Sequence, residues 1–373
     1  LSGIHVTTLG QVIVDAGTLV LSGPASLPSV IGGTMQVAAG ARLDLNGSSF
    51  VQVPGQCTGA GVSALRGGTL RLETDILPGM VHAGGSVAIG SAFQQGGAIT
   101  NLTLSGSTLI GTNRVGAGML RVTDGGLSGQ LTVEGSGELE LGGAAIKELF
   151  RLTLLNHGTV RWTGGDLRGG QDPTTVITNY GLWEITTDSL FQQWTGPTPS
   201  QFVNLGTLRK SAGPGTATLS GIRFANSEAG IIEPQAGTFT LPSAYTHSQG
   251  TVRLGGGTIA AGTSLAFTGG TLEGYGTVRG AGATNLLITP GTNGPGTIAF
   301  TVGLNLASSS TVRLDATGSG AGQFDQIVVT GPVNLGGSTL QLTSLPALAI
   351  GTALTLMSND VADPGEGTVQ DLG

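Results

Sequence analysis

Short apolar runs that alternate with polar positions recur along the chain. The clearest copies are NHGTVRW at Asn156–Trp162, NYGLWEI at Asn179–Ile185 and NLGTLRK at Asn204–Lys210, and a looser copy begins at Asn226. Successive asparagines are 23, 25 and 22 residues apart. A period of two is typical of β-strands, and a repeat of this length is typical of a solenoid. The pattern therefore predicts that each copy is a turn entering a strand, and that the chain returns to the same place once per coil.

The same alternation predicts short strands in other parts of the chain. The candidates are Gln11–Val14, Gly17–Leu21, Gly33–Val37, Ala41–Leu45, Thr69–Glu73, Leu102–Leu104, Met119–Val122, Leu131–Val133, Glu138–Leu141, Thr311–Leu314 and Asp325–Val329. Each run is only a few residues long. Such lengths suit strands that are packed into coils rather than long open sheets.

Three stretches depart from this pattern. Ser48–Ala64 is interrupted by proline and several glycines, and we expect it to leave the coil as a loop. Ala144–Phe150 has helical propensity but is too short to be stable alone, so helix and strand remain open there. Gln192–Gln201 contains Trp194 and two prolines. Because proline is excluded from a central strand, this stretch is predicted to be a protruding loop.

Together these patterns predict an all-β fold: one parallel β-helix, or β-solenoid, of about 15–17 coils of about 22–24 residues each. A proline- and glycine-rich cluster near residues 288–296 divides it. Residues 1–290 are expected to form the β-helix, and residues 291–373 a C-terminal β-strand module that continues the same solenoid. Asparagine suits tight corners between short strands, so Asn156, Asn179 and Asn204 are expected to stack from coil to coil.

A charged residue stands three positions after the repeated glycine in six successive copies. The column reads Arg161, Glu184, Arg209, Glu233, Arg253 and Glu273. The residue one position earlier is apolar in every copy, so alternation places the apolar side chains inside and the charges outside. The strict change of sign predicts an exposed ladder of ion pairs that holds the register of the stacked coils.

Composition excludes several classes of function. Glycine is 68 of 373 residues and charged residues are 10%, but hydrophobic residues reach 39%, which is enough to bury a core. The formal net charge of −7 argues against nucleic-acid binding. No apolar run approaches the roughly 20 residues of a membrane span, so membrane insertion is not expected. The single cysteine, Cys57, excludes an intrachain disulfide and a cysteine-based metal site, and no cofactor is expected.

Candidate chemistry is sparse. Asp166 and Asp188 lie 22 residues apart, so adjacent coils could hold them as the carboxylate pair of a glycosidase, but two solvated turn residues would give the same spacing. The four histidines lack metal-ligand spacing. Trp194 is the aromatic residue that best suits contact with a sugar or a partner. We therefore expect no catalysis, with a polysaccharide-binding or polysaccharide-degrading β-helix enzyme as the alternative.

Three phrases resemble bacterial exported repeat proteins, among them those with autotransporter-type passenger β-helices. They are Lys210–Leu219 beside the repeated asparagine phrase, Gly274–Gly280 with Thr289–Ile298, and Gln323–Gly331 with Gly351–Asp360. The second is similar to the GxGTV…PGxSPGTL phrase of autotransporter-associated β-strand repeats, and the third resembles the ending of such repeats. The resemblance covers roughly Leu149 to the C-terminus. It implies an exported, right-handed parallel β-helix.

These observations lead us to expect a non-catalytic structural or adhesive β-solenoid, extracellular or on a bacterial cell surface. The chain starts in mid-pattern at Leu1, and its end, through Gly367–Gly373, resembles a phrase that normally runs on further. Both features are expected of a shaft or fibre segment of a larger protein. Because solenoid ends expose strand edges, the expected partners are further copies stacked end to end, or cell-surface glycans or proteins.

Overall fold

The computed structural model describes residues 3–24, 26–344, 346–360, 365–366 and 370–371. These residues form an all-β structure without helices, in which parallel strands stack as a β-solenoid of about 14 turns. The predicted fold class is therefore confirmed. The predicted end phrase Gly367–Gly373 lies largely outside the described residues, as does Leu1.

The strands of the described residues are numbered in chain order. They are β1 (Thr7–Thr8), β2 (Gln11–Val14), β3 (Thr18–Leu21), β4 (Ser29–Val37), β5 (Arg42–Leu45), β6 (Ser49–Thr58), β7 (Val62–Leu65), β8 (Thr69–Leu72), β9 (Met80–His82), β10 (Ser86–Ile89), β11 (Ala98–Ile110), β12 (Thr112–Val133), β13 (Gly137–Leu141), β14 (Lys147–Asn156), β15 (Thr159–Trp162), β16 (Leu167–Gly170), β17 (Val176–Asn179), β18 (Leu182–Ile185), β19 (Leu190–Thr195), β20 (Gln201–Asn204), β21 (Thr207–Lys210), β22 (Thr216–Ser220), β23 (Arg223–Asn226), β24 (Ile231–Pro234), β25 (Thr238–Leu241), β26 (Thr246–His247), β27 (Thr251–Phe267), β28 (Thr271–Ala283), β29 (Leu287–Pro290), β30 (Thr297–Phe300), β31 (Leu304–Leu306), β32 (Thr311–Asp315), β33 (Gln326–Val329), β34 (Val333–Asn334), β35 (Thr339–Ser344), β36 (Met357–Asn359), β37 (Gly365–Glu366) and β38 (Gln370–Asp371).

Some strands are much longer than the short runs predicted from the sequence. The clearest case is β12, which pairs with β13 along one part of its length and with β14 along the next. A single strand therefore passes a corner of the coil without a break. The short strands dominate elsewhere, and their side chains alternate between buried and partly exposed positions, as in β15, β18 and β21.

The chain divides into two compact units. Unit 1 comprises Leu1–Ile177 with Gln192–Ser200, and unit 2 comprises Thr178–Phe191 with Gln201–Gly373. Each unit has a core made of apolar side chains that stack in register from coil to coil. In unit 1 one such column is Leu102, Leu120, Leu139 and Val160. In unit 2 one column is Trp183, Leu208, Ile232, Val252 and Leu272.

Coil length varies more than the sequence predicted. In unit 2, Thr251 pairs with Thr271, which is 20 residues further on. Near the C-terminus, Thr311 pairs with Thr339 and Thr339 with Gln370, which are 28 and 31 residues further on. Corners between strands generally tolerate insertions, so coils of different length can stack in register. Longer coils use more chain per turn, so the turns number about 14 rather than 15–17.

Two of the three irregular stretches form strands over most of their length. The loop predicted at Ser48–Ala64 is wrong, since β6 and β7 occupy most of it. Pro54 is tolerated because it lies where the register with β4 shifts, and proline is accepted at such irregularities. In Ala144–Phe150 the strand alternative is correct. β14 begins at Lys147, and packing of alternate side chains against neighbouring coils overrides helical propensity there.

The stretch Gln192–Gln201 is only partly a loop. Its first residues, including Trp194, complete β19, and only residues 196–200 form a short turn before β20. Both prolines lie in this turn, which agrees with the expectation that they would be excluded from a strand. The protruding ten-residue loop is therefore replaced by a strand with an exposed end.

Candidate functional site

The predicted charge column forms ion pairs within unit 2. Arg209 Nε lies 2.6 Å from Glu233 Oε2, and Arg253 Nε lies 2.5 Å from Glu273 Oε1. Glu184 is the register neighbour of Arg209, and its Oε1 accepts a hydrogen bond of 2.9 Å from Ser211 Oγ. The apolar residues one position earlier are buried. The side chains of Arg209 and Arg253 are 32% and 40% exposed, whereas that of Glu233 is only 11% exposed.

Unit 1 contains ion pairs of its own. Arg161 Nε lies 3.0 Å from Glu138 Oε1, and Arg121 Nε lies 2.9 Å from Glu140 Oε2. Register aligns Arg121, Glu140 and Arg161 on three successive coils. Sequence reasoning missed Arg121 and Glu140, although each stands three positions after a glycine, as the six predicted members do.

Asparagine side chains form a buried column in unit 2. Asn179 Nδ2 donates to Asn204 Oδ1 at 2.8 Å, and Asn204 Nδ2 donates to Asn226 Oδ1 at 2.8 Å. Asn226 then donates to the carbonyl of Gly230 at 2.8 Å. In unit 1, Asn156 is also fully buried, at the end of β14. The amides of Asn179 and Asn204 thus each join their own coil to the next in the interior.

Both lysines of the chain are fully buried, which sequence reasoning missed. Lys147 Nζ donates to four carbonyl oxygens, those of Gly142 (2.6 Å), Gly143 (3.2 Å), Ala145 (2.8 Å) and Gly164. Burial lowers the pKa of this ammonium group to about 8, against the opposing charges of the nearby aspartates. The ammonium group of Lys147 therefore bonds to carbonyls of its own corner and to one carbonyl of the next corner.

Lys210 has a carboxylate among its partners. Its Nζ lies 2.7 Å from Asp188 Oδ1, and it also donates to the carbonyls of Ala212 (2.7 Å) and Gly213 (3.0 Å). The signal for burial was present in the sequence. In the repeated phrase Asn204–Lys210, alternation places Lys210 on the same inward side as Leu208.

The two candidate catalytic aspartates have structural partners. The hydrogen bond from Lys210 holds the pKa of Asp188 below its usual range, and the Gly215 N–H donates to the same carboxylate at 2.9 Å. The Asp166 carbonyl accepts a hydrogen bond of 2.9 Å from the Lys147 N–H. A general acid needs a raised pKa, so Asp188 has the wrong electrostatic surroundings for that role.

Two histidines are interior residues. His82 Nδ1 lies 3.0 Å from the Thr103 carbonyl oxygen, and His247 Nδ1 lies 2.9 Å from Tyr245 Oη. Burial lowers the pKa of both, that of His247 to about 4. In the described part of the chain, no three His, Cys, Asp or Glu side chains come together as metal ligands. Nor does that part contain a helix that is long and apolar enough to cross a membrane.

Trp194 lies at the exposed end of β19. Its side chain is 51% exposed, and the guanidinium carbon of Arg168 lies 3.7 Å from the centroid of its ring. A cation at this distance over an indole is attracted by the ring. The other tryptophans, Trp162 and Trp183, are fully buried in the core. Trp194 is thus the tryptophan that a ligand can reach.

No protein-family model, curated protein or solved structure matches this chain. The class of the protein therefore rests on its own structure, which is a β-solenoid with polar contacts from coil to coil.

Proposed function

We propose that this chain is a non-catalytic structural or adhesive β-solenoid, a shaft or fibre segment of a larger protein at a bacterial cell surface or outside the cell. One observation carries the proposal: ionised and amide side chains are used to join successive coils. Arg209 and Glu233, like Asn179 and Asn204, contact each other across coils. Groups committed in this way stiffen the stack and are not poised for proton transfer.

The proposed location and partners have separate support. The resemblance to autotransporter-associated repeats favours export and a surface role. In unit 1, exposed apolar side chains of the first coil include Ile4, Leu9 and Ile13, which are 54%, 66% and 53% exposed. Exposed apolar side chains suit contact with another protein surface, so we propose further copies stacked end to end as one partner class. Cell-surface glycans or proteins are the other.

Mechanical stretching tests the structural role. The purified chain is pulled between its ends in optical tweezers. A load-bearing solenoid is expected to resist force and then lengthen in steps, each releasing one coil of about 20–25 residues, or roughly 70–90 Å of extended chain. A single low-force extension without steps would contradict the proposal. The double variant R209Q/R253Q removes two ladder pairs and is expected to lower the force of the steps in unit 2.

The alternative is a polysaccharide-degrading enzyme that uses Asp166 and Asp188. It predicts release of reducing ends from neutral or acidic polysaccharides, and loss of that release in D188N. The ion pair of Asp188 with the buried Lys210 favours the structural reading. Turnover that depends on Asp188 would overturn the non-catalytic proposal whatever the mechanical result.

A further inference from the structure

Arg168 differs from most arginines of this protein in its partners. Ion pairs with carboxylates are made by Arg42, Arg66, Arg71, Arg114, Arg121, Arg161, Arg209 and Arg253. Among the described residues, no carboxylate lies within ion-pair distance of Arg168, whose guanidinium stacks on Trp194 instead. Its charge is therefore not neutralised by a contact, and its planar N–H edge is held in a fixed orientation by the ring.

The strand end that carries Trp194 is held rigidly. Gln193 Oε1 accepts hydrogen bonds from Ser200 N (2.8 Å) and Ser200 Oγ (2.6 Å), and Gln193 Nε2 donates to the Thr195 carbonyl at 2.5 Å. Thr174 Oγ1 donates to the Thr198 carbonyl at 2.9 Å. The bonds of Gln193 close the turn, and the bond of Thr174 fastens it to the neighbouring coil. An indole on such a support loses little further freedom when a ligand binds.

The turn is also closed tightly by its glycine. Gly196 has φ of 89°, a left-handed conformation that favours glycine, and a Cβ at this position would lie 2.9 Å from the Gln171 carbonyl oxygen. The backbone at Gly196 thus lies so close to Gln171 of the adjacent coil that a side chain at position 196 would clash. Its position relative to Arg168 is consequently set by backbone packing as well as by the stacking contact.

We propose that Arg168 and Trp194 form a binding site for a carboxylated polysaccharide, a polymer of uronic acid units. A guanidinium suits a carboxylate, which it can bind through two parallel N–H bonds. Because Nε of Arg168 is buried, its two Nη groups would make these bonds. The exposed indole supplies apolar area for the C–H face of a sugar ring. Neighbouring units of one polymer can occupy the two positions together. This inference rests on the proposed function, because it names the ligand class of an adhesive shaft.

The size and polarity of the patch favour a glycan over an acidic protein. On β16 and β19, Trp194 is the exposed large apolar side chain. A stable protein–protein contact buries about 800 Å² per partner around an apolar centre. A single indole beside one guanidinium offers much less apolar area, but it matches the dimensions of one or two sugar rings. An acidic peptide is therefore treated as an outcome of the test.

Arg168 has charged neighbours, one of which affects how strongly an anionic ligand should bind. Glu148 is exposed and is the register neighbour of Arg168 on the adjoining strand, and no ion pair joins them. Arg151 and Asp172 are exposed nearby along the chain. The Glu148 carboxylate repels an anionic ligand, so removing its charge should strengthen binding. E148Q thus provides a variant for which the proposal predicts a gain rather than a loss.

The experiment measures binding of hexagalacturonate to the whole chain by titration calorimetry, with cellohexaose as the neutral probe and hexaglutamate as the acidic peptide. The acidic sugar is expected to bind at least about tenfold more tightly than either of the other probes. W194A and R168Q are each expected to weaken its binding by about tenfold or more. E148Q is expected to strengthen it about twofold to threefold.

Matched controls come from unit 2. Tyr275 is an exposed aromatic residue (54%), and Arg279 is exposed and has no carboxylate partner among the described residues, so Y275A and R279Q should bind like the unaltered chain. R168K keeps the positive charge but lacks the planar pair of N–H donors, so its affinity for hexagalacturonate should fall several-fold. This variant tests the site independently if W194A fails to fold.

Equal binding of the neutral and acidic sugars, tighter binding of hexaglutamate, equal losses in the controls, or no binding at millimolar concentration would each overturn the proposal. None of these results alters the stepwise resistance to force. The binding measurement therefore tests the Arg168–Trp194 site, and the stretching measurement tests the structural role separately.

Discussion

Lys210 Nζ lies 2.7 Å from Asp188 Oδ1, and the two residues are 22 positions apart, so one bond joins successive coils. The lysine side chain is fully buried, whereas that of the aspartate is 33% exposed. Two corner carbonyls complete the partners of the ammonium group. A buried cation is tolerated in this position because each of its N–H bonds has an acceptor.

Replacing Lys210 should destabilise the folded chain. K210M removes the cation and leaves the carbonyls of Ala212 and Gly213 without their donor, so we expect the free energy of unfolding to fall by about 2–4 kcal/mol. R253Q is the control, because it removes a partly exposed charge whose partner Glu273 is also partly exposed, and it should cost about 0.2–1 kcal/mol. Urea denaturation of both variants makes the comparison. Equal losses would show that Lys210 has no special role.

The asparagine column gives a second prediction. Asn204 accepts a hydrogen bond from Asn179 and donates to Asn226, so N204A removes both bonds and leaves the buried Asn226 Oδ1 without this donor. We expect a loss of about 2–4 kcal/mol, measured by urea denaturation, and faster amide hydrogen exchange in β20 and β23. N305A is the control at an exposed asparagine and should change stability by less than about 0.5 kcal/mol. A loss in N204A as small as this would contradict the structural role of the column.

His247 predicts a loss of stability in acid. Burial lowers its pKa to about 4, against an ordinary value of 6.5 in the unfolded chain. The neutral form is favoured by folding, so this contribution is complete above pH 6.5 and is lost as the pH falls from 6.5 to 4, by about 3 kcal/mol in all. Urea denaturation at intervals from pH 7 to pH 4 should show a shallower decline for H247L than for the unaltered chain.

Asp325 has the opposite dependence on pH. Burial first, and then the neighbouring Asp315, raise its pKa to about 6, while the N–H groups of Gly296 and Asp315 bond to its two oxygens. A raised carboxyl pKa means that stability is complete below about pH 4 and is lost as the pH rises to 6. D315N removes the negative neighbour, so we expect the pKa of Asp325 to fall in a carbon-13 NMR titration. D15N, at an exposed aspartate, should leave it unchanged, and a constant value in D315N would contradict the coupling.

The fold was accessible from the sequence because alternation determines which side chains face inward. Val160 and Trp183 occupy equivalent positions of their repeats, and both are buried. Counting from the repeated glycine also located Arg209 and Glu233, which form an ion pair. These features depend only on position within a repeat, which the sequence displays directly.

Other features depend on three-dimensional closure of the corners. Lys147 bonds to carbonyls of its own corner and of the next, and no side-chain motif marks such acceptors. Arg168 stands 26 residues before Trp194, and their contact requires the length of that particular coil. In Ser48–Ala64, proline and several glycines interrupt the alternation and so predict a loop, but a register shift accommodates Pro54 within a strand.

The burial of Lys147 and Lys210 has a chemical consequence for the surface of this protein. The chain has no other lysines, so none of its side-chain primary amines reaches solvent. Reagents and enzymes that acylate, glycate or cross-link lysine therefore find no target among its side chains while it is folded, and the exposed positive charge is carried by guanidinium groups. Acylation of either lysine would report the opening of its coil, which makes the two residues internal sensors of local unfolding.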